Sequence, residues 1–419
     1  MRNAELIKEQ ASGNIPRGSA ANQRLLLALL CLANLVMVGS FFMMRYWMSP
    51  DGFIFFDVDD RFMDLINPMR EAQALNPYLG HNASSPPFMF FIAYVLSLFR
   101  RLAFSEGMIF FASMAIIFVI MLLILFSLHK EKLPPAENIC LSILFLASYP
   151  FFYTFDRGNF VLFAAFFVAA FIWAYHKERF YWAAIFLGLA AAVKLYPAVL
   201  GVVFLANKKF RQAIVCAVTG VAATAIPLSI YQGGFSKNLE IFLNASGQYA
   251  DVGNGILGWL VNVRSSFYQL ILIPKMIGVD PLEHIWQVPE FISLFRILLT
   301  ALFILVILYC FFTERTHDQI LLLTVMMIGY PIESGAYNLV LFIVPFAYWA
   351  VKEKRCPLMM VLGVLVMTCL NGFVAFHSPV TAISLQAVLN PVFLLCVLGF
   401  LIFSKRSEMQ DDVQCISQG

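Results

Sequence analysis

The chain has 419 residues, 61% of them hydrophobic and 13% charged, with a formal net charge of +3. Soluble domains carry roughly 45–50% apolar and about 25% charged residues, so this surplus cannot be hidden in one aqueous core. Composition excludes an ordinary soluble enzyme and predicts an all-α, polytopic transmembrane helical bundle; the net charge says little about partners, because in a bilayer the position of each Lys and Arg matters more.

Residues 1–24 (MRNAELIKEQASGNIPRGSAANQR) are polar and read as a cytoplasmic tail. The apolar run that follows is too long for a signal-peptide core and lacks a small-residue cleavage site, so it is expected to be a first membrane helix. Apolar runs bounded by charge, Pro or Gly predict helices near 25–44, 87–103, 107–128, 138–153, 159–175, 181–194 and 196–206. Further helices are expected near 212–231, 291–312, 318–332, 337–351, 357–375 and 382–403. Residues 25–403 thus form a single membrane domain, with 404–419 as a second cytoplasmic tail.

Basic segments assign the orientation. Arg2, Lys8, Arg17 and Arg24, then HKER (176–179), NKKFR (207–211), KEKR (352–355) and SKR (404–406) are expected on the cytoplasmic side. Residues 45–86 and 232–290 then become two large outer loops, the first carrying interfacial helices. Thirteen runs conflict with two cytoplasmic termini, which demand an even count. The conflict lies between Pro86 and Asp156, where FRR (99–101) and HKEK (129–132) cannot both be cytoplasmic, and about twelve crossings are expected.

Several segments carry residues suited to chemistry. The first outer loop holds Asp51, Asp57, Asp59, Asp60 and Asp64, the densest acidic cluster in the chain. Asp60 and Asp64 are four apart and share a face if FMDLINPMREAQAL is helical, which suits a base with a supporting acid; helix capping is the competing reading. In FDRGNF (155–160), Arg157 and Asn159 sit at a helix junction where Arg can grip a phosphate and Gly158 allows close backbone approach; an Asp156–Arg157 ion pair is the alternative. Lys194 in AAAVKLYP (190–197) stands between apolar stretches at a Pro break, beside Tyr196, either facing a lipid phosphate or snorkelling to the interface. IGYPIESGAYN (328–338) offers Glu333, Tyr337 and Asn338 for hydrogen bonds to a sugar, or is a plain turn. In the segment 253–269, Asn254, Trp259, Asn262 and Arg264 suit a sugar or a headgroup, or anchor the chain at the interface.

The eight Cys lie in or beside apolar runs or in the tail with no CxxC spacing, and no His is paired in a metal pattern, so neither a disulfide framework nor a metal is expected. No Gly-rich nucleotide loop is present, so no soluble sugar nucleotide, nucleic acid or other cofactor is expected.

Taken together, the acidic outer loop ending in NPY (76–78), the PPF helix start, the RGN junction and the AAAVKLYP break followed by NKKFR resemble the glycosyltransferase 87 family of the membrane GT-C superfamily. The resemblance spans roughly residues 57–211, with a weaker likeness at YPIESGAYN. It implies a polyprenyl-phosphate-linked sugar as donor, a glycolipid or lipid-linked glycan as acceptor, and inverting transfer of a mannose-like hexose at the outer face of the cytoplasmic membrane. An acidic residue of the first outer loop would be the catalytic base: Asp64 first, then Asp60 and Asp57. Arg157 and Lys194 would meet the donor phosphate, and Asn159, Tyr196, Arg264, Glu333 and Tyr337 would contact substrate. Glu333 stands where the family places an outer His or Asp. Membrane lipids and envelope-assembly proteins are the expected partners. A flippase, transporter or polymerase of lipid-linked sugars remains an alternative, although a flippase predicts inverted repeats, which are not evident.

Overall fold

Apolar runs from which charge is absent leave the backbone one way to satisfy its N–H and C=O groups in a bilayer, the α-helix. The computed structural model describes residues 17–47, 62–80, 84–130, 133–252, 263, 266, 267, 270, 289–331, 334–353, 356–368, 373–375, 382–384 and 388–403. In chain order the helices are α1 (Arg17–Trp47), α2 (Met63–Glu71), α3 (Pro87–Leu98), α4 (Glu106–His129), α5 (Pro135–Leu146), α6 (Tyr149–Arg157), α7 (Val161–His176) and α8 (Phe180–Val193). They continue with α9 (Val202–Ala206), α10 (Phe210–Ile230), α11 (Gly234–Val252), α12 (Pro289–Phe312), α13 (Thr316–Gly329), α14 (Val340–Lys352), α15 (Pro357–Met367) and α16 (Val388–Phe403). Short 3-10 turns lie at Pro77–Leu79, Phe99–Leu102, Tyr196–Gly201 and Ala336–Leu339. Helix starts follow local chemistry: Pro opens α3, α5 and α15, and the Ser105 hydroxyl accepts the Met108 N–H at the start of α4.

Among the described residues, four helices are long and apolar enough to cross a membrane: within α1, and α4, α10 and within α12. The α5–α6 pair is long and apolar enough only when its two helices are taken together, and they are bent by 50° to one another, where a single helix over 138–153 was expected; Pro150 lacks the N–H that would continue the ladder. Six shorter apolar helices follow. Two other expectations change. The helices expected over 357–375 and 382–403 shrink to α15 and α16, and between them Phe373–Ala375 pairs antiparallel with Ala382–Ser384, the β-branched Val374 opposite Ile383. Residues 232–290, expected as a loop, begin with the 19-residue α11.

The interior belongs to α13 and α14, buried from Asp318 to Gly329 and from Val340 to Val351. Outward-facing Ile214, Val218 and Val221 of α10 and Ile297, Leu298, Ile304 and Leu305 of α12 remain exposed, as a lipid-facing surface requires. Small residues permit the closest crossing. A Cβ on Gly188 of α8 would stand 2.6 Å from the Cys216 carbonyl oxygen of α10 and 2.7 Å from the Thr219 Cβ, and Gly220 faces it.

The two ends of the bundle differ. At one, Arg24 pairs with Glu137 (3.1 Å), Gln23 donates to the Ala350 carbonyl (2.9 Å), Asn22 accepts the Cys356 N–H (3.0 Å), and Arg315 pairs with Glu353 (2.8 Å). These residues border the basic segments that were expected on the cytoplasmic side. The other end gathers α2, the end of α6 and the 3-10 turns at Tyr196–Gly201 and Ala336–Leu339.

Candidate functional site

Asp64 lies in the first turn of α2, where a carboxylate ordinarily caps the helix or favours its dipole. Here the cap bonds are made by backbone: Phe62, at the cap position, is left-handed (φ 61°), and its own carbonyl accepts the Leu65 and Ile66 N–H groups. The carboxylate is instead aimed across at the end of α6. Arg157 Nη2 donates to Oδ1 at 3.1 Å and Asn159 Nδ2 to Oδ2 at 2.7 Å. Arg157 therefore pairs with Asp64, in place of a sole pairing with its neighbour Asp156.

The RGN junction is shaped to allow this. Gly158 closes α6 in the left-handed conformation (φ +64°), and a Cβ there would stand 2.8 Å from the Phe62 carbonyl oxygen. The close approach expected at Gly158 is thus made by the Phe62 backbone that leads into α2. The Phe62 N–H donates to the Asp156 carbonyl at 3.0 Å, and the Phe62 ring sits against Phe110 (4.3 Å), Phe111 (5.5 Å) and Phe155 (6.1 Å). The Asn159 side-chain oxygen accepts the Val161 N–H (3.0 Å), which fixes its amide nitrogen towards Asp64. Asp64 and Arg157 remain about a quarter exposed, at 24% and 27%. Two donors leave lone pairs on the carboxylate for a further hydroxyl.

A second set of contacts carries the site across the bundle. The single Thr154 O–H of α6 is shared between the carbonyls of Pro150 (2.6 Å) and Tyr337 (3.0 Å). Asn338, fully buried, donates to the Ser334 hydroxyl (3.1 Å) and accepts the Tyr196 hydroxyl. The ring of Tyr337 lies over Gly335, where a Cβ would meet it at 2.6 Å. Lys194 ends α8 in extended backbone (φ −145°), its N–H on the Ala190 carbonyl at 3.0 Å, with a half-buried side chain two residues before Tyr196. Four segments noted in the sequence, around Asp64, Arg157, Lys194 and Tyr337, are thereby joined through α6 and the two 3-10 turns. Asp57, Asp60, Arg264 and Glu333 lie outside the described residues.

Sequence reasoning passed over Phe62 and Thr154, an aromatic and a hydroxyl inside an aromatic-rich run. Their roles are backbone contacts between segments remote in sequence, for which no local signal exists. The far end of α2 is held as well: Arg70 pairs with Glu106 at 2.7 Å and Arg100 with the same carboxylate at 3.1 Å. The hydrogen bond to Glu106 raises the pKa of Arg70 above its ordinary value.

One group among the described residues has the composition of a metal site. His317, Asp318 and Glu353 place their ligand atoms within 4.8 Å of one another at the opposite end of the bundle. Arg315 already occupies both Glu353 oxygens (2.8 and 3.0 Å), and Trp349 Nε1 donates to Asp318 at 2.7 Å. A carboxylate covered by a guanidinium is a poor cation ligand, so the group reads as a charge-paired clasp between α13 and the end of α14.

A family model of glycosyltransferase family 87 matches residues 85–331, more than half of the 419. The match takes in Arg157, Asn159, Lys194 and Tyr196 and begins after Asp64, whereas the resemblance read from the motifs began near residue 57 and ran to 211. No curated protein matches the chain.

Proposed function

The chain belongs to glycosyltransferase family 87, and from that premise we propose that it is a membrane hexosyltransferase using a polyprenyl-phosphate sugar. The acceptor would be a glycolipid or lipid-linked glycan, reached at the outer face of the cytoplasmic membrane by a single membrane domain over 25–403. The observation that carries this reading is the Asp64 carboxylate, partly exposed and held by Arg157 and Asn159 from a distant segment. A carboxylate oriented in this way is suited to general-base work.

In the proposed step the acceptor hydroxyl gives its proton to Asp64 while its oxygen bonds to the sugar anomeric carbon. The bond from that carbon to the phosphate oxygen breaks, and its electron pair leaves with the polyprenyl phosphate. Attack opposite the leaving group inverts the anomeric centre. The departing phosphate needs positive charge, for which Lys194 is the candidate. Arg157 is assigned to orienting Asp64, because its guanidinium already faces that carboxylate. Tyr196, two residues after Lys194, and Tyr337, next to the Asn338 that accepts the Tyr196 hydroxyl, are assigned to substrate contact. Asp57, Asp60, Arg264 and Glu333 remain candidates by sequence position.

The test is sugar transfer by purified protein in liposomes supplied with polyprenyl-phosphate hexoses and a membrane lipid extract, comparing wild type with Asp64→Asn. General-base removal is expected to lower turnover about 10²- to 10⁴-fold while the fold is kept. Full activity in Asp64→Asn removes it as base. Movement of lipid-linked sugar across the bilayer with no donor consumed replaces the transferase by a flippase.

A further inference from the structure

The run over residues 87–103, expected as a crossing, has both its ends tied to the same short outer segment. Near its start, the Phe90 ring meets Tyr78 edge-on at 5.3 Å, and its carbonyl accepts the Tyr231 hydroxyl at 3.5 Å. Past the last residue of α3, Arg100 shares the Glu106 carboxylate with Arg70. Tyr78 and Arg70 belong to one short segment that folds back on itself. The chain after α2 curls through Ala72 N–H to Pro68 O (2.8 Å) and Ala74 N–H to Glu71 O (2.9 Å). It then returns so that a Cβ on Gly80 would touch the Glu71 carboxyl at 2.9 Å. Left-handed Ala103 (φ 64°) follows the 3-10 turn, and Ser105 starts α4 within three residues.

The surface of this arm is of two kinds. Phe91, Tyr94, Val95, Phe99, Leu102 and Phe104 are exposed and apolar. Arg101, also exposed, has no carboxylate in ion-pair reach among the described residues, and Arg100 beside it keeps 41% of its side chain accessible. An apolar face ending in two guanidiniums complements acyl chains under a phosphate.

We propose that Pro87–Leu102 does not cross the membrane but lies as an arm in the leaflet that contains Asp64, with Arg101 presented to the phosphate of an anionic phospholipid headgroup. Removing this run from thirteen leaves twelve crossings, the even number that two cytoplasmic termini require. It also puts FRR on the outer side and leaves HKEK cytoplasmic. The inference rests on the contacts and the surface of this arm and stands whether or not Asp64 is the base.

Two measurements test it. In a cysteine-free background, Arg101→Cys, Lys237→Cys and Lys177→Cys are exposed to a membrane-impermeant maleimide in intact cells. Position 101 is expected to label together with 237 and opposite to 177; labelling together with 177 overturns the arm. Native mass spectrometry of the otherwise unaltered protein, titrated with phosphatidylglycerol or phosphatidylcholine, reads the lipid contact and needs no cysteine replacement. Preference for phosphatidylglycerol is expected to fall at least threefold in Arg101→Gln and to return in Arg101→Lys. Equal retention of both lipids by the wild type, or an unchanged preference in Arg101→Gln, overturns the headgroup assignment.

Discussion

Asn159 and Asp64 are joined by a 2.7 Å hydrogen bond across 95 positions of chain. Asn159 is only 8% exposed, and its other amide atom is committed to the Val161 N–H, so it cannot turn away. The base candidate is thus aimed by a residue that is itself fixed by the start of the next helix.

Removal of the aiming residues is expected to act on rate more than on binding. Asn159→Ala and Arg157→Ala should each lower transfer about 10- to 100-fold with little change in apparent donor affinity. A hydrogen bond to a charged group contributes roughly 1.5–3 kcal/mol, and at a quarter exposure the lower part of that range applies to stability. Thermal unfolding in detergent and steady-state turnover measure the two effects. An unchanged turnover in both variants would mean that Asp64 needs no orientation.

Gly158→Ala places a methyl 2.8 Å from the Phe62 carbonyl oxygen in a left-handed residue, which costs about 1–3 kcal/mol. Either the junction opens or α2 moves, and both displace Asp64. Transfer should drop by an order of magnitude or more with helix content by circular dichroism intact. Wild-type activity would show that Phe62 can give way freely.

Tyr196→Phe removes the donor to the Asn338 side-chain oxygen, and Asn338 is fully buried. A buried acceptor left unsatisfied costs roughly 1–3 kcal/mol. The melting temperature should fall, and Asn338→Leu combined with Tyr196→Phe should recover part of the loss by removing both polar partners. No recovery in the double variant would assign the hydroxyl a role beyond pairing with Asn338.

Gly188→Ala tests the fold away from the site. Its methyl would need α8 and α10 to separate against a 2.6 Å approach to the Cys216 carbonyl, a strain of about 1–3 kcal/mol. Detergent-solubilised variant should unfold at lower temperature while molecules that remain folded keep wild-type turnover. The reverse pattern, full stability with lost turnover, would contradict a packing role.

Much of this was legible in the chain itself. The apolar runs gave most helices because a bilayer offers the backbone no other partner, and RGN, KLYP and ESGAYN stood out because charge and Pro are costly there. The 50° break at Ser148 and the short strands at 373–375 and 382–384 were not, since an apolar run reads alike whether continuous, bent or paired. His317, Asp318 and Glu353 show the same limit. His317 and Asp318 are adjacent in the chain, but Glu353 is remote from them, and only the packing of α13 on α14 brings it there.

The sequence by itself determined that the chain is a helical membrane protein, which end of each span carries the basic residues, and that Asp64 is one of several carboxylates in an acidic segment. The last point was ambiguous for a physical reason: local chemistry makes an Asp in a first helical turn equally fit to cap that helix. Only the tertiary structure decided its partner, because left-handed Phe62 takes over the cap with its own carbonyl and Gly158 lets α2 come close enough for Arg157 and Asn159 to reach the freed carboxylate.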